Sequence, residues 1–316
     1  MSVEIKEPVL VVGIGGVGSK LAYDTKKTLN SDCLIISNDD KDFSSECDSI
    51  KVSTDGIINP SAQLIRGSTL SIVPEIQSKI SQYSTIIVIA NLAGKTGSAI
   101  APMVTKISKD EEKSAISFAI MPFQYEKDRI FNSGIALKRV KTDSSCTVVL
   151  DNDSLLESNP DLSTKDCYQI GNSALMHIVS SLSTSEISED INILSTGKAG
   201  QDIEESLRDS LKMLYENAPP NAVKKSMIHV VGGSNIPVGI INSLNKITNG
   251  ITDNNSHINM DYAQSDESNI VMVSSVQGMT KFDKYDPLGM IPQEDTLDWP
   301  EPDCSIDCKL DLYQLE

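Results

Sequence analysis

Short apolar runs rich in β-branched residues recur along the first half of this chain, and a segment with helical spacing follows each. The runs are PVLVVG (8–13), CLIIS (33–37), TIIVIA (85–90), AISFAIMPF (115–123) and CTVVLDN (146–152). Between them, SKLAYDTKKTL (19–29), EIQSKISQY (75–83), AIAPMVTKISKD (99–110) and DRIFNSGIALKRVK (128–141) space their apolar residues as amphipathic helices do. A strand that is apolar on both faces is stable only in a layer covered on both sides. Consecutive strands separated by helices pair in parallel. The alternation therefore predicts an α/β fold built on a parallel sheet.

Further along the pattern changes. CYQIGNSALMHIVSSLS (167–183) predicts a long, largely apolar central helix, and DIEESLRDSLKMLYENA (202–218) a charged amphipathic one. After the loop PPNAVKK (219–225), SMIHVVGG (226–233), GIINSLNKITNGI (239–251), SHINMDYAQS (256–265) and NIVMVSSVQG (269–278) read as strand, helix, half-buried strand and buried strand. The expected organisation is a nucleotide-binding domain at 1–165 and the central helix with its following loop at 166–200. A smaller α+β second domain at 201–283 and an acidic tail at 284–316 complete it. The tail ends in SIDCKLDLYQL (305–315), an alternating segment suited to adding a strand to a protein partner's sheet edge.

Charge and length exclude some classes. A net charge of -17 argues against a nucleic-acid partner, because a phosphate polymer would be repelled. No apolar run approaches the roughly 20 residues of a transmembrane span. The charged start MSVEIKEPVL leads straight into a strand, unlike a signal peptide. Cys33 and Cys146 sit in apolar runs as core thiols, and Cys304 and Cys308 form a lone C-x-x-x-C without the second pair zinc would need. The expected compartment is the cytoplasm, with no metal held by protein ligands alone.

Two glycine-rich turns end strands. GIGGVGSK (13–20) satisfies G-x-G-x-x-G at Gly13, Gly15 and Gly18, and NDD (38–40) follows the second strand where an acid can meet a ribose. The second turn lies in IVIANLAGKTGSAIAPMV (87–104). Its Gly94-Lys95-Thr96 looks like the end of a Walker A motif, but Ile89 stands where that motif needs its first glycine. Thr96, Gly97 and Ser98 still fall at a helix start, where amides and hydroxyls can hold phosphate oxygens. Two such turns on one sheet suggest a nucleotide gripped from two sides.

These motifs resemble, in order over residues 9–280, those of the FtsZ/tubulin superfamily of GTP-binding cytoskeletal proteins, and in particular a divergent archaeal FtsZ-like protein. VVGIGGVGSK is similar to GxGGxGxN, ISNDDKDF to AxNTDxxxL, and LIRGSTLSIVPEI to RGxGxGxxPxxG. IVIANLAGKTGSAIAPMV resembles the signature GGGTGTGxAPxV, MPFQYEKDRI resembles KPFxFEGxxR, and VVLDNDSLL resembles IPNDxLL. YQIGNSALMHIVSSL is similar to the central helix FxxADxVLxxxVxGI, and two later segments resemble second-domain motifs.

The resemblance implies GTP or GDP as ligand, with Mg²⁺ bridging phosphate oxygens. Gly15, Gly16 and Gly18 would line the α- and β-phosphates, with Lys20 and Asn38 nearby. Gly94, Lys95, Thr96, Gly97 and Ser98 would hold the β/γ end. Glu126 and Arg129 would meet ribose and phosphate, and Asn152 and Asn172 the guanine edge, which an amide can pair with as donor and acceptor at once. Self-assembly head to tail into filaments, for cell division or shape, is implied likewise.

The chain also departs from the family. Lys20 replaces an asparagine, Lys95 a signature glycine, and Leu70, Ser71 and Ile72 occupy the third loop where glycines recur. The NxDFADV motif after the central helix, whose acids reach the neighbouring subunit's nucleotide, is absent. In STSEISEDINILSTGKAG, Glu186, Glu189 and Asp190 are the acids that could orient water, Glu189 and Asp190 foremost. Three readings stand open: a filament-forming GTPase, a non-hydrolysing nucleotide-binding scaffold of the same fold, and a Rossmann or E1-like adenylating enzyme.

Overall fold

The computed structural model describes residues 3–182, 187–189, 191–198, 202–231, 256–261 and 269–286. The expected alternation is present. β1 (Val9–Ile14) leads into α1 (Gly15–Leu29), and β2 (Asp32–Ser37) into β3 (Asp48–Lys51). Two short helices follow, α2 (Ala62–Thr69) and α3 (Val73–Ile80). Then come β4 (Thr85–Asn91), α4 (Lys95–Asp110), β5 (Ser114–Met121), α5 (Lys127–Asp143) and β6 (Cys146–Asp151). Beyond these lie α6 (Asn152–Ser158), α7 (Thr164–Ser180), β7 (Ile191–Thr196), α8 (Ile203–Asn217), β8 (Val223–Val231), β9 (Ser256–Asp261) and β10 (Asn269–Val276).

The strands form one sheet in the order β3-β2-β1-β4-β5-β6-β7-β10-β8-β9. Neighbours from β3 to β7 are parallel, whereas β10 runs antiparallel to both β7 and β8. The layer is unbroken across residue 200, so strands on both sides of that point share it. Side chains alternate between two cores. Leu10, Val12, Ile14, Ile86 and Val88 face α2 to α5 and α8, while Val9, Val11, Ile87 and Ile89 face α1 and α7. Burial on both faces is why these strands read as unbroken apolar runs.

Several segments differ from the sequence reading. α1 begins at Gly15, so the glycine loop is largely the helix's first turn. The stretch resembling a third nucleotide loop is helical: Arg66 and Gly67 lie in α2, and Leu70–Ile72 form a 3-10 turn into α3. Without recurring glycines, that backbone has no reason to leave the helical region. The segment 166–200, expected as helix and loop, contains strand β7. The expected helix at 239–251, most of the tail with Cys304 and Cys308, and the acids Glu186 and Asp190 lie outside the described residues.

Candidate functional site

The sheet order places a topological switch between β1 and β4. From β1 the chain moves outward to β2, and from β4 it moves the other way to β5. In open α/β sheets the crevice at the carboxyl ends of such strands is where ligands bind. Both glycine turns sit there. Gly15 has φ +66, a conformation that L side chains rarely adopt, and a Cβ on it would lie 3.2 Å from the Cβ of Thr96. Thr96 donates its hydroxyl to Asn38 Oδ1 at 2.6 Å. Gly16 is exposed beside Asp42, which accepts a bond from Ser37. The structure thus brings together Gly15, Gly16, Asn38 and Thr96 from three separate turns.

Neither helix at this junction is closed by its own side chains. α1 begins after Ile14 and α4 after Gly94, each without a side-chain cap and without an acid in the first turn. The first amides of a helix have no intrahelical partner, and its N-terminus carries partial positive charge. At α4 these are the amides of Lys95, Thr96 and Gly97. Ser98 is different: its amide and hydroxyl both bond to Gly94 O, at 3.0 and 2.9 Å, so it serves the helix itself. Gly18 and Gly97 have packing roles. Cβ atoms there would fall 2.3 Å from Ile89 O and 2.0 Å from Asn91 O, so both let a helix lie against β4. Lys95 is exposed and donates to Asn59 Oδ1 at 2.7 Å; Lys20 is exposed on α1.

A second group lies at the ends of β5 and β6. Glu126 opens α5 without capping it, pairs with Arg129 at 2.6 Å, and accepts from the Phe123 amide at 3.2 Å. Phe123 stacks on the exposed Tyr125 at 5.2 Å and meets Tyr168 of α7 edge-on at 5.4 Å. Burial, then the nearby Glu126 and Tyr125, pushes the Tyr168 phenol above its usual pKa. Asn152 is buried at the end of β6 and donates to Met121 O at 3.4 Å. Its Oδ1 is buried with no hydrogen-bond partner, 3.3 Å from where a Cβ on Gly171 would stand. Asn172 follows Gly171 on α7 and is half-buried. An orphaned amide oxygen beside α7 and open helix N-termini beside β1 suit a ligand with a polar base at one end and phosphates at the other.

Glu189 sits elsewhere. It is exposed in the α7–β7 connection and lines a hollow of about 420 Å³ with Lys141, Thr147 and Ile191. Thr147 and Ile191 mark the amino ends of β6 and β7, opposite the glycine turns. No chain therefore brings Glu189 to its own crevice. Tyr168 and Tyr125 were missed by motif reading, although Tyr168 occupies the aromatic position of the central-helix pattern.

The order of the first six strands is shared with dinucleotide-binding folds, so order alone does not separate the readings. Comparison with known proteins does. The Tubulin/FtsZ family GTPase domain matches residues 29–160. Cell division protein FtsZ 2 of Methanocaldococcus jannaschii is 21% identical over 280 residues, covering 77% of this chain and 71% of that protein. FtsZ 1 of Halobacterium salinarum is 26% identical over 191 residues, covering 56% of this chain and 47% of its own length. Residues 29–160 thus match a Tubulin/FtsZ GTPase domain, and these likenesses together support a divergent FtsZ/tubulin-superfamily protein.

Solved structures of the superfamily share the fold. An FtsZ dimer of M. jannaschii superposes with a TM-score of 0.66 at 18% identity, covering 86% of this chain and 88% of that one. A GTPγS-bound CetZ protofilament protein of Haloferax volcanii gives 0.64 at 16% identity, covering 88% and 96%. Among the described residues no helix is long and apolar enough to cross a membrane.

Proposed function

We propose that this FtsZ/tubulin-like chain binds GTP or GDP across the carboxyl ends of β1, β4, β5 and β6 and assembles head to tail. One observation carries the reading: the uncapped starts of α1 and α4 converge at Gly15 and Thr96. Those amides and Gly16 would hold phosphate oxygens, with Mg²⁺ bridging the terminal phosphates. Asn152, Asn172 and the Phe123–Tyr125–Tyr168 aromatics would hold the base, and Glu126 with Arg129 the ribose side. In this reading residues 1–165 hold the nucleotide and 166–200 connect to a supporting part at 201–283. The acidic tail at 284–316 offers a partner segment, and the protein works in the cytoplasm, in cell division or shape.

The placement of Glu189 at the far end of the sheet supports assembly, because only the next subunit's nucleotide could meet it. Glu189 and Asp190 are then the acids for orienting water in trans. The second reading, a scaffold that binds without hydrolysing, draws on the helical third segment and the short link from Ser181 to Ile191.

The test is to release and identify the nucleotide that co-purifies, then to pellet the protein with GTP, with GDP and without nucleotide. Guanine nucleotide and GTP-dependent pelleting are expected. Adenine nucleotide or NAD overturns the binding reading, and equal pelleting in all three conditions overturns nucleotide-driven assembly. Unchanged GTP turnover in a Glu189→Ala, Asp190→Ala variant removes those acids from catalysis.

A further inference from the structure

After β10 the chain turns back as a 3-10 segment, Lys281–Tyr285, packed between α5 and α8. The segment is firmly seated. Phe282 and Tyr285 are buried, and Gly134 of α5 lets Tyr285 approach so closely that a Cβ there would lie 2.6 Å from the Tyr285 Cβ. From it Lys281 reaches the end of β6 with its side chain only 12% exposed. Its Nζ lies 2.8 Å from Asp153 Oδ2, 3.2 Å from Asp151 Oδ2 and 3.6 Å from Glu157 Oε2.

Asp151 and Asp153 flank Asn152, and each does a second job. Asp151 is fully buried and accepts from the amides of Asp153 and Ser154, at 3.2 and 3.3 Å, which shapes the turn that projects Asn152. Asp153 accepts from the Gln124 amide at 2.9 Å through its other oxygen. Gln124 lies between Phe123 and Tyr125, two residues before Glu126. One ammonium group therefore braces both the turn under Asn152 and the loop carrying the aromatic stack.

We infer that Lys281 is a positioning residue for the base and ribose end of the nucleotide site, through which the segment after β10 sets how tightly and selectively guanine is held. The inference rests on the nucleotide reading above. Its physical basis is charge balance. Two carboxylates this close in a buried place cannot both stay ionised without a cation. Without Lys281, one takes up a proton or swings toward water, and either response rewrites the bond to Gln124 or the turn at Asn152. Burial raises the Asp151 carboxyl above its ordinary range and Lys281 pulls it back toward that range, so the lysine is what favours the ionised form there. Burial alone would lower the Lys281 pKa, yet Asp151 and Asp153 outweigh it and hold the ammonium above its ordinary range.

The test compares full-length wild type, Lys281→Met and Lys281→Arg for equilibrium binding of GDP and of inosine diphosphate, which lacks the exocyclic amine. Thermal unfolding is followed alongside to confirm folding. Lys281→Met is expected to bind GDP about tenfold more weakly and to lose much of the preference for GDP over inosine diphosphate, with Lys281→Arg restoring both. A folded Lys281→Met with wild-type affinity and preference overturns the inference and leaves the nucleotide reading intact. Wild type that binds no guanine nucleotide overturns the nucleotide reading itself. Should Lys281→Met fail to fold, Asp153→Asn sets an amide against the ammonium, and wild-type selectivity in that variant overturns the inference equally.

Discussion

α1 and α4 begin beside the switch point of the sheet, whereas α2, α6, α7 and α8 begin away from it, and the two groups are finished differently. Ser61, Asp151, Ser163 and Asp202 close the starts of the second group with their own side-chain oxygens. α7 even carries a reciprocal capping box between Ser163 and Asp166. The first group has only Ile14 and Gly94 at the same position. α3 and α5 also lack a side-chain cap, but each has an acid in its first turn, Glu75 and Asp128. Among the described α-helices only α1 and α4 start with neither, which suits an anion there in the proposed reading.

The contrast can be broken from either side. The largest effect is expected from Gly97→Ala, where the new Cβ would sit 2.0 Å from Asn91 O and push α4 off β4. Overpacking of this kind costs about 1–3 kcal/mol, read as a lower unfolding temperature together with loss of GDP binding. Next comes Gly94→Asp, which gives α4 the cap it lacks. An added carboxylate should compete with phosphate and weaken GDP binding by at least about tenfold, or about 1.4 kcal/mol. The nucleotide-free protein should unfold no earlier than wild type. Weakened folding with unchanged GDP affinity would show that the open helix start is not an anion site. The smallest effect belongs to Ser163→Ala, which removes a cap far from the crevice. It should cost about 1 kcal/mol of stability in denaturant unfolding and leave GDP affinity unchanged.

The central strands were legible because burial on both faces leaves no polar position to interrupt them. β3 was not, since DSIK is a short edge strand with a single buried residue, Ile50. β7 was hidden behind the polar run at 184–190, although INILST is buried throughout. Of the three residues side by side in the crevice, Asn38 came from the resemblance, and Gly15 and Thr96 from spacing. Spacing could not separate a glycine that faces a ligand from one such as Gly18 that makes room for a strand, because both purposes require the same missing Cβ. Lys281 was illegible for another reason. Its partner Asp153 is 128 residues away, and no local pattern records a contact of that range.

The unbroken sheet has a mechanical consequence. β7 is laddered to β6 on one side and to β10 on the other, so among the described residues backbone pairing runs continuously from one half of the chain to the other. Opening one half against the other like a pair of jaws would mean tearing a row of backbone hydrogen bonds. In a strand of stacked subunits, strain arriving at one end of such a molecule would cross it as through a stiff plate. It would be relieved by twisting the plate or by shifting the turns at its rim.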